Sequence, residues 1–395
     1  MTVRKCVFWI HLAVGLAAGI VIAIMCVTGA ALAFEKQIVA WAERDARQIP
    51  SPAPGAARLT VEDLLAAFTR ARPDTKPQSI TIDREPDAAI VFSLGRGENA
   101  YVNPYDGTIH EPASHAARDL MRRLTEWHRW FALSGQSRAT ARLVTGAANA
   151  GFLFLTLSGA ILWWPRKWRT KGLRRSLWFL RRASGRAREW NWHNVVGFWL
   201  LPVLIALSAS GVVLSYRSVN DWIFHLAGDN PPGPGLAPAP SSPPWLAPPS
   251  SDARPLGPDA LLEAAQREFP QWQTITLFLN PRSTSGGERL RPPVFFTVTS
   301  TDAWPRVATT GVTLDPFTGA VRRVDAFRDL SPGRRVRTWV RFLHTGEALG
   351  LPGQWIAGLG CVGGCLLVYT GFALAWRRFR GEKKLPPATE PNGVG

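Results

Sequence analysis

Four apolar runs, near residues 6–34, 143–165, 194–215 and 353–376, constrain this chain more than any other feature. Each reaches or approaches the ~20 residues that carry a helix across ~30 Å of hydrocarbon. The expected fold class is therefore an α-helical membrane protein with four transmembrane helices, at 6–34, 139–165, 191–215 and 353–377. The first run ends in Ala31-Leu32-Ala33, which looks like a signal-cleavage site. Its apolar stretch is about twice the 7–15 residues of a signal-peptide core, so it reads as an uncleaved anchor.

Charge placement sets the expected topology. The formal net charge of +17 suggests nucleic acid only until the basic residues are located. Ten of them lie between Arg166 and Arg188 with no acid among them, and Arg377, Arg378, Arg380, Lys383 and Lys384 follow the last run. With Arg4 and Lys5 this is a positive-inside pattern. It predicts a multi-pass protein of the bacterial inner (cytoplasmic) membrane with both termini cytoplasmic. The loop at 166–190 should then lie on anionic membrane lipid, and no nucleic-acid partner is expected. Cys6, Cys26, Cys361 and Cys365 all fall in or beside the apolar runs, so no disulfide framework is expected outside them. Cys361 and Cys365 share a helix face and read as small packing residues rather than a metal pair.

The chain repeats itself. His11 and Gly15 are matched 182 residues later by His193 and Gly197. Asn103-Pro104-Tyr105-Asp106-Gly107 and Asp315-Pro316-Phe317-Thr318-Gly319 are turn sequences 212 residues apart, and the same interval separates Gly159 from Gly371 and Trp164 from Trp376. Each turn closes a helix-plus-strands pattern: Thr60–Arg70 with Ser79–Asp83, Ala88–Leu94 and Ala100–Val102, then Pro258–Phe269 with Gln273–Leu279 and Val294–Thr299. A tandem duplication follows, with two small exported α+β modules at 35–117 and 216–333. Each module precedes an amphipathic interfacial helix, 118–134 and 334–346. The second module carries a proline-rich linker at 231–258, and a cytoplasmic tail occupies 378–395.

Four of the seven histidines form matched pairs, His11 with His193 near the cytoplasmic boundary and His128 with His344 near the exported one. An ionisable side chain in a membrane span marks a functional site unless it is satisfied by packing. Gly15 and Gly197, four residues after their histidines, would leave a slot for a flat ligand. Two imidazoles approaching a planar ligand from opposite sides hold a b-type haem. Zinc would need three or four ligands, and no Cys-x-x-Cys-His exists for a c-type haem. The expected cofactor is two haems b, ligated by His11 and His193 and by His128 and His344. Arginines near the outer pair, among them Arg129 and Arg341, would meet propionates or an anionic substrate. His110, His115 and His225 read as surface residues.

With these motifs in view, the chain resembles the bacterial PepSY-associated transmembrane helix family, which includes iron-regulated inner-membrane proteins and ferric-siderophore reductases. The resemblance rests on HLAVGL with VTGAALAFE, NPYDGTIHE, HRWFALSG with LSGAILWWPRKW, HNVVGFWL, and HTGEALGLPGQ with YTGFALAWRRFR. It implies four helices, two PepSY modules, haem at the matched histidines, and reduction of a ferric siderophore or other ferric chelate. Some relatives carry a fused flavin or nicotinamide reductase domain. No such stretch is seen here, so the expected electron donor is a separate cytoplasmic protein or a membrane quinol. The alternatives are a non-enzymatic membrane protein whose modules bind an exported partner, and a transporter of the intact chelate. The latter would need broken helices and buried carboxylates at midplane.

Overall fold

A computed structural model describes residues 2–50, 55–95, 97–165, 170–232, 246–279 and 290–380. Residues 233–245 of the expected linker, 166–169 of the basic loop and 381–395 of the tail lie outside the described residues. The helices, in chain order, are α1 (Val3–Leu32), α2 (Glu35–Ala42), α3 (Arg44–Arg47), α4 (Val61–Ala71), α5 (Ala116–Trp130), α6 (Ser137–Trp163), α7 (Thr170–Leu177), α8 (Gly185–Trp199), α9 (Leu201–Ser215), α10 (Arg217–Leu226), α11 (Pro258–Glu268), α12 (Pro332–His344) and α13 (Leu351–Arg380). The strands are β1 (Ser79–Asp83), β2 (Ile90–Gly95), β3 (Glu98–Val102), β4 (Ile109–His110), β5 (Trp272–Phe278), β6 (Val294–Ser300), β7 (Thr310–Leu314) and β8 (Val321–Asp325). They divide between two compact units.

The first unit draws on residues 1–31, 124–215 and 356–395. Its helices α1, α6 and α13 are long and apolar enough to span a membrane, with mean hydropathies of 2.5, 1.4 and 1.8. Residues such as Ile20, Val27, Leu143, Ile161, Leu359 and Val362 are exposed, the reverse of a water-soluble bundle and the arrangement expected against lipid. Small residues let the helices approach. A Cβ at Gly19 would fall 2.6 Å from the Phe372 ring, one at Gly364 2.6 Å from Cys26 Sγ, and one at Gly360 2.7 Å from Val203. Cys26 is buried, Cys361 and Cys365 pack beside it with Ile22 and Ala148, and all four cysteines are free.

The expected single helix at 191–215 is corrected by the structure. It is two helices, α8 and α9, bent by 69° at Leu200. Pro202 is the cause: it has no N–H to return to Phe198, and its ring clashes with that carbonyl, so the ladder breaks just ahead of it.

The second unit draws on residues 32–123 and 216–355. Its strands form one eight-stranded antiparallel sheet in the order β4-β3-β2-β1-β5-β6-β7-β8. The seam between β1 and β5 joins the strands of the two expected modules into that one sheet. Ile80 pairs with Leu277 and Thr81 with Thr276, whose hydroxyls meet at 2.9 Å. An open strand edge leaves unpaired N–H and C=O groups, and pairing β1 with β5 removes the longest such edge from each half. Alternation along the strands sends Ile80, Phe92, Ile275, Phe296 and Leu314 to one face, where α4 and α11 cover them with Leu64, Phe68, Leu261 and Ala265. Thr60 caps α4, accepting from the Asp63 N–H at 3.0 Å, and Asp259 on α11 adds a second acceptor for the Val61 N–H at 2.7 Å. The two turns fold alike. Asn103 and Asp315 each accept from the N–H two residues on, at 2.9 and 2.8 Å, and Gly107 and Gly319 take the left-handed backbone at φ 73° and 68°.

Candidate functional site

The first unit contains both His11 and His193. His11, on α1, turns toward α6, where its Nδ1 lies 2.8 Å from Ser158 Oγ. His193, on α8, turns toward α13, where its Nδ1 lies 2.9 Å from Thr370 Oγ1. Both hydroxyls already donate to a carbonyl of their own helix, Ser158 to Phe154 at 2.7 Å and Thr370 to Leu366 at 2.8 Å. A hydroxyl has one proton, so toward the imidazole it can only accept. Nδ1 therefore carries the hydrogen in each ring, and the lone pair sits on Nε2.

His128 lies in the last turn of α5 and repeats this arrangement. Its Nδ1 is 2.9 Å from Thr28 Oγ1, which donates to Ile24 at 2.7 Å. The turn after it is held firmly: Thr145 on α6 donates to the Arg129 carbonyl at 3.0 Å, and Ala132, left-handed at φ 55°, donates its N–H to Glu126. His344, the last residue of α12, belongs to the second unit.

The expected slot glycines, Gly15 and Gly197, face leucines, and other glycines lie beside the imidazoles. Side chains at Gly15 and Gly197 would meet Leu155 and Leu367, at 3.7 and 3.6 Å, so these positions serve helix packing. The glycines beside the imidazoles are Gly159 and Gly371, each 3.7 Å from a ring Cε1 when given a Cβ, and Gly29, at 3.3 Å from His128 Cε1. The signal was present as a hydroxyl–glycine dipeptide in each of the four spans, Thr28-Gly29, Ser158-Gly159, Ser210-Gly211 and Thr370-Gly371.

The flanking charges differ from place to place. A cavity of about 430 Å³ is lined by Phe179, Trp192, Arg181 and Arg188. One turn before His193, buried Glu189 takes both arms of Arg377, at 2.7 and 3.0 Å. Arg129 stacks over Trp130 at 4.9 Å, and Arg341 over Phe342 at 5.4 Å. Burial, together with neighbouring Arg341, pulls the Arg337 guanidinium below its usual range, and its Nε donates to Asn220 at 2.7 Å. Positive charge is thus crowded along α12, a favourable setting for an anion.

The donor set suits a planar cofactor gripped from two sides. Among the described residues no group of three or more His, Cys, Asp or Glu side chains could hold a metal ion alone. Two imidazoles with lone pairs on Nε2 supply what haem iron requires of protein, and the glycines leave room along the ring edges.

A family profile described as the PepSY-associated TM region matches residues 8–378. The chain belongs to that family. The match takes in all the spans of this PepSY-associated TM protein, both halves of its sheet and all four paired histidines. No curated protein matches the chain.

Proposed function

We propose that this membrane protein is a transmembrane dihaem electron carrier, built by tandem duplication. It reduces ferric iron, presented as a ferric siderophore or another ferric chelate, on the periplasmic side of the bacterial inner membrane. A separate cytoplasmic or quinol donor supplies the electrons, and both termini are cytoplasmic. The observation that carries the reading is the matched setting of His11 and His193, two imidazoles from different helices with Nδ1 tied down and Nε2 left basic. A b-type haem held there by His11 and His193 would supply one-electron chemistry.

The chain's own residues do the rest. Ser158 and Thr370 orient the rings, and Leu155 and Leu367 close the apolar wall. The second haem rests on the sequence interval linking His128 to His344. Duplication is supported by the two like-folded turns and by a strand order that reads outward in the same sense from its centre. In the exported unit, which we read as two joined PepSY modules, the sheet offers little edge to a protein partner. β4 is two residues long, and the β8 arginines Arg322 and Arg323 are paired with Asp315 and Asp325.

Absorption spectroscopy of the detergent-purified protein tests the proposal. Two haems per chain are expected, with a Soret band that moves on reduction, and His11→Ala or His193→Ala should each remove one. A wild-type protein produced with ample haem that shows no such band would overturn the reading.

A further inference from the structure

We infer that the hydroxyl–glycine dipeptides Thr28-Gly29, Ser158-Gly159 and Thr370-Gly371 are imidazole cradles. In each, the hydroxyl sets the tautomer of one histidine and the glycine gives its ring room. Ser158 and Thr370 are thus positioning residues for the inner pair. Back-bonding of Ser or Thr onto its own helix is common and proves nothing alone. Thr145, Thr156 and Ser208 do the same here with no imidazole on them. What separates the three cradles is a coincidence of features on three different helices. An imidazole Nδ1 sits 2.8–2.9 Å from the hydroxyl, and the next residue is a glycine whose Cβ would stand 3.3–3.7 Å from that ring's Cε1.

The physics follows from the hydroxyl's single proton. Committed to the carbonyl four residues back, it leaves only lone pairs for the imidazole. A ring flipped to the other tautomer would set two lone pairs against each other in a medium with no water to relieve them. The cradle therefore pre-sets Nε2 as the ligating atom. The Nδ1–H···O bond also pushes electron density toward Nε2, as second-shell acceptors do for metal-bound histidines, and this favours the more oxidised iron. For its redox consequence the inference rests on the haem reading. For the tautomer it does not.

The experiment uses the full chain in detergent with 15N-ring-labelled histidine, as wild type, Ser158→Ala, Thr370→Ala, and the hydroxyl-keeping Ser158→Thr and Thr370→Ser. In haem-free protein, NMR should show His11 and His193 neutral and protonated on Nδ1. The matching alanine variant should lose that state, and the hydroxyl-keeping variants should retain it. Titrated with hemin, the alanine variants should bind about 10–100-fold more weakly. Their midpoint potential should rise, by about 59 mV for each tenfold change in the preference for oxidised iron. If wild type binds no haem but the tautomer still depends on the hydroxyl, the haem reading falls and the cradle stands. If the alanine variants keep the wild-type tautomer, affinity and potential, the cradle is overturned.

Discussion

Gly371 and Glu43 illustrate how one residue acts in each unit. A Cβ at Gly371 would sit in ordinary contact with His193 Cε1, at 3.7 Å, so Gly371→Ala should be tolerated and a branched Gly371→Leu should push the ring aside. Haem content per purified chain should stay unchanged in the first variant and fall by about half in the second. Gly197→Leu, which presses on Leu367 instead, should cost thermal stability before it costs haem. In the other unit the Glu43 side chain is 1 % exposed. Burial alone would raise its pKa, but hydrogen bonds from Arg118, Tyr101 and Arg47 outweigh that and hold it below the usual carboxylate range. A depressed carboxylate stabilises the fold above its unfolded value of about 4.3 and loses that contribution as pH falls through the lower folded value. Melting temperature in detergent should therefore drop on acidification below pH ~4.3, and less so in Glu43→Gln. Arg118→Ala leaves the charge buried with weaker partners and should cost about 3 kcal/mol at neutral pH, the low end for a broken buried pair because Tyr101 and Arg47 remain.

At the scale of elements, the first turn of α4 depends on α11. Asp259 Oδ1 accepts the Val61 N–H at 2.7 Å, so Asp259→Ala removes a cap from a helix other than its own. A loss of about 1 kcal/mol is expected from denaturant unfolding followed by the tryptophans of the sheet unit, and Thr60→Ala should cost a similar amount. The seam between β1 and β5 is less forgiving. Ile275 is fully buried there, and Ile275→Ala should cost about 2–5 kcal/mol. Strands β1, β2, β3, β5 and β6 could be read in advance, β1 at Ser79–Asp83 and β6 to within a residue of its end, whereas β4, β7 and β8 were not read. Which edges pair could not be read, because two short strands with alternating patterns offer equally suitable edges to many partners.

For the whole molecule, the test is sidedness. An alkaline phosphatase fused into the linker at residues 231–258 should be active, and one fused after Arg380 should not. The opposite result would exchange the donor and acceptor faces. In right-side-out vesicles energised from within, an external ferric chelate should be reduced, and His193→Ala should abolish this because electrons could no longer enter from the inner face. Reduction at the wild-type rate in that variant would rule out the inner pair as the entry point.

The amino-acid order alone pointed to a membrane protein with four apolar runs and to which histidines are matched, but not to the bend at Leu200. These are one-dimensional properties: about twenty apolar residues span a bilayer whatever surrounds them, and an interval of 182 for His11 and His193, 212 for the turns or 216 for His128 and His344 needs only counting. Tertiary structure decided what each histidine touches. Ser158 and Thr370 are 147 and 177 residues from their imidazoles, and only the packing of α1 on α6 and of α8 on α13 turns those hydroxyls toward Nδ1. Spacing along one helix pointed to Gly15 and Gly197 because it sees just that helix's own face. The neighbouring helix supplies Gly159 and Gly371 instead, since a ring projecting from one helix lies against the next.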